Sequence, residues 1–202
     1  MLVCGFSLWV GSRGLRYYNK YNKWRCNLGV TEYWSITNFP DTSVLITTIQ
    51  CTDSSHGYAA GISGHIFRTT NGGNTWDLCQ IDTAGCPYLY GFPKHRVKFI
   101  NSTTGYVCGG KYDIIGAVWK TTNSGVSWST YCLTPEPLFD VKVINENKIV
   151  ASGGDFEFGA ITTTSFNSAA SWNYFNTGLF GIGRDLAFRT EKEIWMPLAF
   201  AQ

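Results

Sequence analysis

Charge is scarce in this sequence, and so are the residues that build metal centres. Lys and Arg number 16 and Asp and Glu 14 among 202 residues, for a formal net charge of +2. So small an excess gives no electrostatic reason to expect a nucleic acid partner. Histidine occurs three times, at His56, His65 and His95, with no metal-ligand spacing between them, so neither a metal nor a cofactor is expected. No stretch reaches the roughly 20 consecutive apolar residues that a helical membrane span needs. The opening MLVCGFSLWVG is apolar, but no basic residue precedes it and no small-residue cleavage site follows, so it reads as a strand rather than a signal peptide.

What is abundant points to sheet. Apolar residues make up 44% of the chain, aromatics 16%, and there are 22 glycines. Aromatics favour pleated surfaces and glycine supplies positive φ, so the composition predicts many short strands joined by tight turns, with enough apolar matter for a core.

One turn recurs. RTTNGGNTW ends at Trp76, KTTNSGVSW at Trp128 and SFNSAASW at Trp172, spaced by 52 and 44 residues. The shared pattern is Thr69, Asn71, Gly73, Thr75 and Trp76; Thr121, Asn123, Gly125, Ser127 and Trp128; and Ser165, Asn167, Ser171 and Trp172, with Ala169 at the glycine position. A degraded copy keeps Asn19 and Trp24. Upstream of the turns come a Gly-Tyr strand (HGYAAG, TGYVCGG) and alternating stretches SVLITTIQC, HRVKFIN, FDVKVIN and RDLAFRT. Each period therefore reads as four antiparallel strands, A to D, the quoted turn joining C to D, with A at 95–100, B at 105–110, C at 116–121 and D at 127–132 in the best-defined copy. Four strands per 44 to 52 residues is the signature of a β-propeller blade.

In the C to D hairpin the Asn oxygen is placed to accept turn N–H groups, the glycine to take a conformation costly for other residues, and the Ser/Thr hydroxyl to tie the far side. The Trp is expected to bury its ring against the neighbouring sheet, gaining ~5 kcal/mol gross for on the order of 200 Å². The fold class expected is an all-β propeller of about four four-stranded antiparallel blades, partial or open, forming a single segment over 1–202. Its blades fall at 1–27 (incomplete), 44–80, 95–133, 139–176 and 184–202 (incomplete).

These turns resemble Asp-boxes (BNR-type repeats), with Asn replacing Asp. The fuller pattern of Gly-Tyr, apolar strand and IFRTTNGGNTW is most similar to the photosystem II stability and assembly factor family and its relatives in non-photosynthetic bacteria. The resemblance implies a non-catalytic protein that binds a polypeptide or helps assemble a complex, and an extracytoplasmic location. The sialidase Arg-Ile-Pro motif is absent; the nearest arginine context is Arg189 in FRTEKE.

The D to A and B to C connections share the blade end opposite the turns, where propeller sites form. They bring Tyr33, Trp34, Tyr88, Tyr90, Phe92, Tyr112, Phe156 and Phe158 to one face, suited to a protein or glycan partner. Asp155 and Glu157 in GGDFEFG are the candidate carboxylate pair; a glycoside hydrolase remnant using them is the alternative function, and a purely structural module of a larger exported protein is another. Otherwise GGDFEFG is a solvated hairpin tip whose phenylalanines pack inward. The run Arg13, Arg16, Lys20, Lys23 and Arg25, interleaved with Tyr17, Tyr18, Tyr21 and Trp24, reads as a charged outer strand, with an acidic-partner site as the other reading. Open blade edges are a route to association. Seven cysteines cannot all pair internally, equivalent points of different blades are expected to lie too far apart, and Cys79 with Cys86 is the local pair placed to close a D to A loop.

Overall fold

The computed structural model describes residues 39, 43–86 and 91–200. Strands β1 (Ile46–Cys51), β2 (Gly57–Gly61), β3 (Ile66–Thr69) and β4 (Asp77–Leu78) form the first antiparallel sheet, blade I. Strand β5 (Gln80–Asp82) leaves it to pair in parallel with the outer strand of blade II, which is β6 (Lys94–Phe99), β7 (Gly105–Lys111), β8 (Ile115–Thr121) and β9 (Ser127–Thr134). Blade III is β10 (Leu138–Val143), β11 (Ile149–Asp155), β12 (Gly159–Ser165) and β13 (Asn173–Asn176). A fourth unit consists of β14 (Ile182–Gly183) and β15 (Ala187–Thr190), paired with β17 (Leu198–Ala199) and β16 (Glu193–Trp195) respectively. No helix occurs among the described residues. Strands β1, β6 and β10 lie side by side, so the first strands are innermost and the blades radiate from them, an open propeller.

Between blades lie apolar layers. Tyr58, Ala60 and Ile66 of blade I meet Val97, Phe99, Trp119 and Trp128 of blade II, where Tyr58 stacks on Phe99 at 3.7 Å. Tyr106, Cys108 and Val118 of blade II meet Leu138, Val141, Ile149 and Ala169 of blade III. Trp76 is covered by Phe39 at 5.2 Å. Trp76 and Trp128 are buried, and Trp172 is half-buried.

Two local devices set the blade. Each first strand opens with a β-bulge, at Ile46/Thr48, Lys94/Arg96 and Leu138/Asp140. The second strand crosses the bulge through Gly61, Gly109 and Gly153, where a Cβ would collide with the carbonyl oxygens of Leu45, Pro93 and Pro137. The following amides, of Ile62, Gly110 and Gly154, donate to those oxygens at 3.0 Å.

The second device is the turn. Thr121 Oγ1 accepts from Gly125 N at 3.0 Å, Asn123 Oδ1 accepts from Ser127 N at 3.0 Å, and Asn123 Nδ2 donates to Ser127 Oγ at 2.9 Å. The same bonds join Thr69, Asn71, Gly73 and Thr75, and again Ser165, Asn167, Ala169 and Ser171. The Asn amide supplies a donor that an Asp carboxylate would lack. Each turn also donates an amide to the A to B loop below it: Gly72 to Ser55, Ser124 to Thr103 and Ser168 to Asn147, at 2.8, 2.9 and 3.1 Å. Those loops are themselves fixed by Asp53, Asn101 and Asn145, whose side-chain oxygens accept from backbone N–H groups two and three residues on.

The cysteines pair differently from the local expectation. Cys86 is bonded to Cys132 with a Cα separation of 6.0 Å, while Cys79 is free and buried. The reason is β5: its parallel pairing with β9 carries the chain across the blade boundary and delivers Cys86 beside Cys132. The basic run from Arg13 to Arg25 lies outside the described residues.

Gly125 has φ +74°, and a Cβ there would lie 2.6 Å from the Tyr58 ring. Ala169, at φ 66°, fills the equivalent place in the layer that holds Tyr106. Gly125→Ala is therefore expected to lower stability by ~1–3 kcal/mol in urea unfolding, through strain and overpacking together.

Candidate functional site

The bulges decide what the loop face presents, because a bulged residue has no partner across the ladder and its side chain is re-aimed. The unpaired residues are Thr47, His95 and Phe139. Each reaches toward the start of the next blade. Thr47 Oγ1 donates to the Lys94 carbonyl at 2.6 Å, the His95 ring lies 4.7 Å from Phe139, and the Arg184 guanidinium sits 4.7 Å above Phe139. Tyr112, from the B to C loop of blade II, closes on the same ring at 5.8 Å. Phe139 is buried, whereas Arg184 and Tyr112 are exposed, so the cluster offers a cation and an aromatic edge on a fixed base. Burial, with Arg184 and Lys94 nearby, brings His95 down to about 4, which leaves a neutral imidazole at neutral pH.

Beside this cluster is an ionic network centred on Asp140, whose side chain is fully buried. It accepts from Arg96 Nε at 3.0 Å, from Lys142 Nζ at 3.2 Å and from the Leu186 amide at 2.8 Å. The last bond repeats a scaffold function, since Thr48 at the same bulge position of blade I accepts from the Val97 amide at 3.0 Å. Burial and neighbouring Asp185 push the Asp140 carboxyl up, against Lys142 and Arg96, which pull it down. Lys142 also bridges to Asp185 at 3.4 Å. Arg96 remains partly exposed with the far side of its guanidinium free of Asp140.

The residues predicted for this face are distributed unequally. Tyr33, Trp34, Tyr88 and Tyr90 lie outside the described residues. Phe92 and Phe156 are half-buried, Phe92 against the layer between blades I and II. Tyr112 and Phe158 are exposed, so Phe158 does not pack inward as the hairpin-tip reading has it. Asp155 is buried, and its Oδ1 accepts from the amides of Glu157 and Phe158, at 3.1 and 2.5 Å, which makes it the brace of its own hairpin. Asp113, Asp155 and Glu157 have carboxylate oxygens within 4.8 Å of one another, the described set closest to what a hard cation uses. Glu136, bonded to the Asp113 amide at 3.1 Å, has its carboxyl pushed up by burial and then by Asp155, Asp113 and Glu157.

Sequence reading missed Phe139, Asp140, Arg96 and Arg184 because it sought binding residues in loops, and these stand at or just before the first strands. The available signal was the heads of those strands, KHR, LFD and GRD, where aromatic and charged residues cluster repeat after repeat.

No protein-family model matches the chain, and no curated protein matches it either. Solved structures similar to it include YCF48 bound to D1 peptide, at 18% identity and a TM-score of 0.55 over 74% of this chain and 46% of that one. YCF48 from Cyanidioschyzon merolae is similar at 18% identity and a TM-score of 0.51, covering 65% and 39%. An ancestral GH74 enzyme is similar at 19% identity and 0.50, covering 68% and 21%. The chain thus spans less than half the length of each, and at these identities the likeness is one of fold.

Asp140→Ala is expected to destabilise the chain by ~2–4 kcal/mol, because Arg96, Lys142 and the Leu186 amide lose their common acceptor. Asp140→Asn, which keeps one acceptor oxygen, should recover part of that loss in the same thermal-unfolding measurement.

Proposed function

We propose that this chain is a non-catalytic, assembly-factor-like propeller segment that binds an extended polypeptide across the loop face of blades II and III and the fourth unit. The observation that carries the reading is the convergence on Phe139 of an exposed cation, Arg184, an exposed phenol, Tyr112, and the neutral His95. Arg96 stays partly exposed beside the buried Asp140, Lys142 is held between Asp140 and Asp185, and Phe158 adds apolar surface on blade III. Such a surface suits a peptide with carboxylate and aromatic side chains. Support comes also from the fold, since one similar solved structure, YCF48, is bound to a peptide.

The recurrent residues favour this reading over a glycoside hydrolase. The turn bonds repeat from copy to copy with Asn as the acceptor in each, the side chains of the repeated turns are spent on those bonds, and Asp155 is committed to its hairpin. An extracytoplasmic setting fits the Cys86–Cys132 bond, which an oxidising compartment preserves.

Fluorescence polarisation with a panel of extended peptides tests the proposal. Acidic-aromatic peptides should bind with an affinity that falls as salt rises, and Arg184→Glu and Tyr112→Ala should each weaken binding, the charge reversal by roughly tenfold or more. Equal binding of neutral and acidic peptides, or an Arg184→Glu chain that binds as the parent does, would contradict it.

A further inference from the structure

Lys94 departs from the rule of its own repeat. Its counterparts Ile46 and Leu138 pair across the same strand register, with Gly61 and Gly153 where Lys94 has Gly109, and both are buried aliphatics. Lys94 is 1% exposed, at the same depth. Its Nζ sits 3.7 Å from the centroid of Trp119 and donates to the Phe92 carbonyl at 3.0 Å. An ammonium has three N–H groups, so a ring face and one carbonyl leave a donor over. Scaffold packing alone would place another aliphatic side chain here, at no desolvation cost.

The same lysine lines a cavity of about 100 Å³ between the B to C loop and outer strand of blade I and the head of β6. The other polar side chains on its wall are Ser63, His65 and Thr83, of which Ser63 Oγ and His65 Nδ1 lie 3.3 Å apart; its apolar wall is Leu78 and Ile81, and among the described residues no carboxylate lines it. Cys79 also lines it, and burial pushes its thiol up to about 12, so it is neutral. A space of this size takes roughly four or five heavy atoms.

We propose that Lys94 and this cavity form a binding site for a short-chain carboxylate, whose oxygens are taken by the Lys94 ammonium and the Ser63 and Thr83 hydroxyls and whose alkyl part lies on Leu78 and Ile81. This is separate from the polypeptide reading: a failure of peptide binding through Arg184 leaves it standing. A free short acid and a carboxylate side chain carried on a polypeptide present the same chemistry.

The pH dependence follows from the burial of Lys94, which brings its pKa down to about 7. The ammonium is almost fully formed at pH 6 and about one-tenth formed at pH 8, so affinity for a carboxylate falls by roughly tenfold between them. The neighbouring titratable groups are His65 and Cys79 from blade I and His95 on β6; Cys79 and His95 are neutral across that window.

The experiment titrates propionate into the chain by calorimetry at pH 6 and pH 8 and follows the Lys94 Cε resonance through a pH titration with and without propionate. An N-acetyl-aspartyl peptide amide serves as the polypeptide-borne probe. Binding about tenfold tighter at pH 6 is expected, with the Lys94 titration moved to higher pH by the bound acid. Lys94→Met, which restores the aliphatic character of Ile46 and Leu138, should fold and lose binding, while His65→Gln should keep the pH dependence. Propionate alone binding identifies a free acid, and the aspartyl probe alone binding identifies a polypeptide. Binding of neither probe, a Lys94 titration unmoved by both, or full binding in Lys94→Met overturns the proposal.

Discussion

In each of blades I to III the carbonyl oxygen of the residue just before the first strand occupies the space that a Cβ of the second strand would need. Leu45, Pro93 and Pro137 supply the oxygens, and Gly61, Gly109 and Gly153 leave the room. Because the next amide donates to the same oxygen, the close approach is hydrogen-bonded as well as sterically required. It fixes where the bulge falls, and the bulge fixes which side chain enters the apolar layer and which is sent toward the neighbouring blade. Thr47, His95 and Phe139 owe their places on the loop face to that crossing.

One frame thereby carries three chemistries. The layer position holds Ile46, Lys94 and Leu138, and the bulged position holds Thr47, His95 and Phe139. The position after the bulge holds Thr48, Arg96 and Asp140, of which Thr48 and Asp140 accept an amide from the next blade and Arg96 instead donates to Asp140. Scaffold and site are not separate sets of residues here. The scaffold supplies repeated positions, and the proposed binding chemistry enters where one copy departs from the others.

The propeller was legible in the sequence because its turns are chemically demanding. Thr121, Asn123, Ser127 and Trp128 each satisfy a separate bond or burial, so the pattern survives from blade to blade and its period can be counted. The bulges left no such mark. In KHRVKFI nothing shows that His95 is unpaired and Lys94 points inward, since a one-residue shift in register exchanges the two faces of a strand. Aromatic content gave the expectation of an aromatic loop face but no sign of Phe139, which is buried with His95, Tyr112 and Arg184 packed against its ring. The Cys86–Cys132 pair was hidden for a different reason: β5 runs parallel to a strand of another blade, a connection that counting repeats does not anticipate.

The most direct test of this account is hydrogen exchange at the amides of Ile62, Gly110 and Gly154. If the glycine crossings hold the blades, these three amides are protected to the level of the central strands β7 and β11 although they lie at strand ends, and they exchange only in the global unfolding event. Exchange at loop-like rates, independent of the central strands, would contradict the claim that the crossings organise the blades.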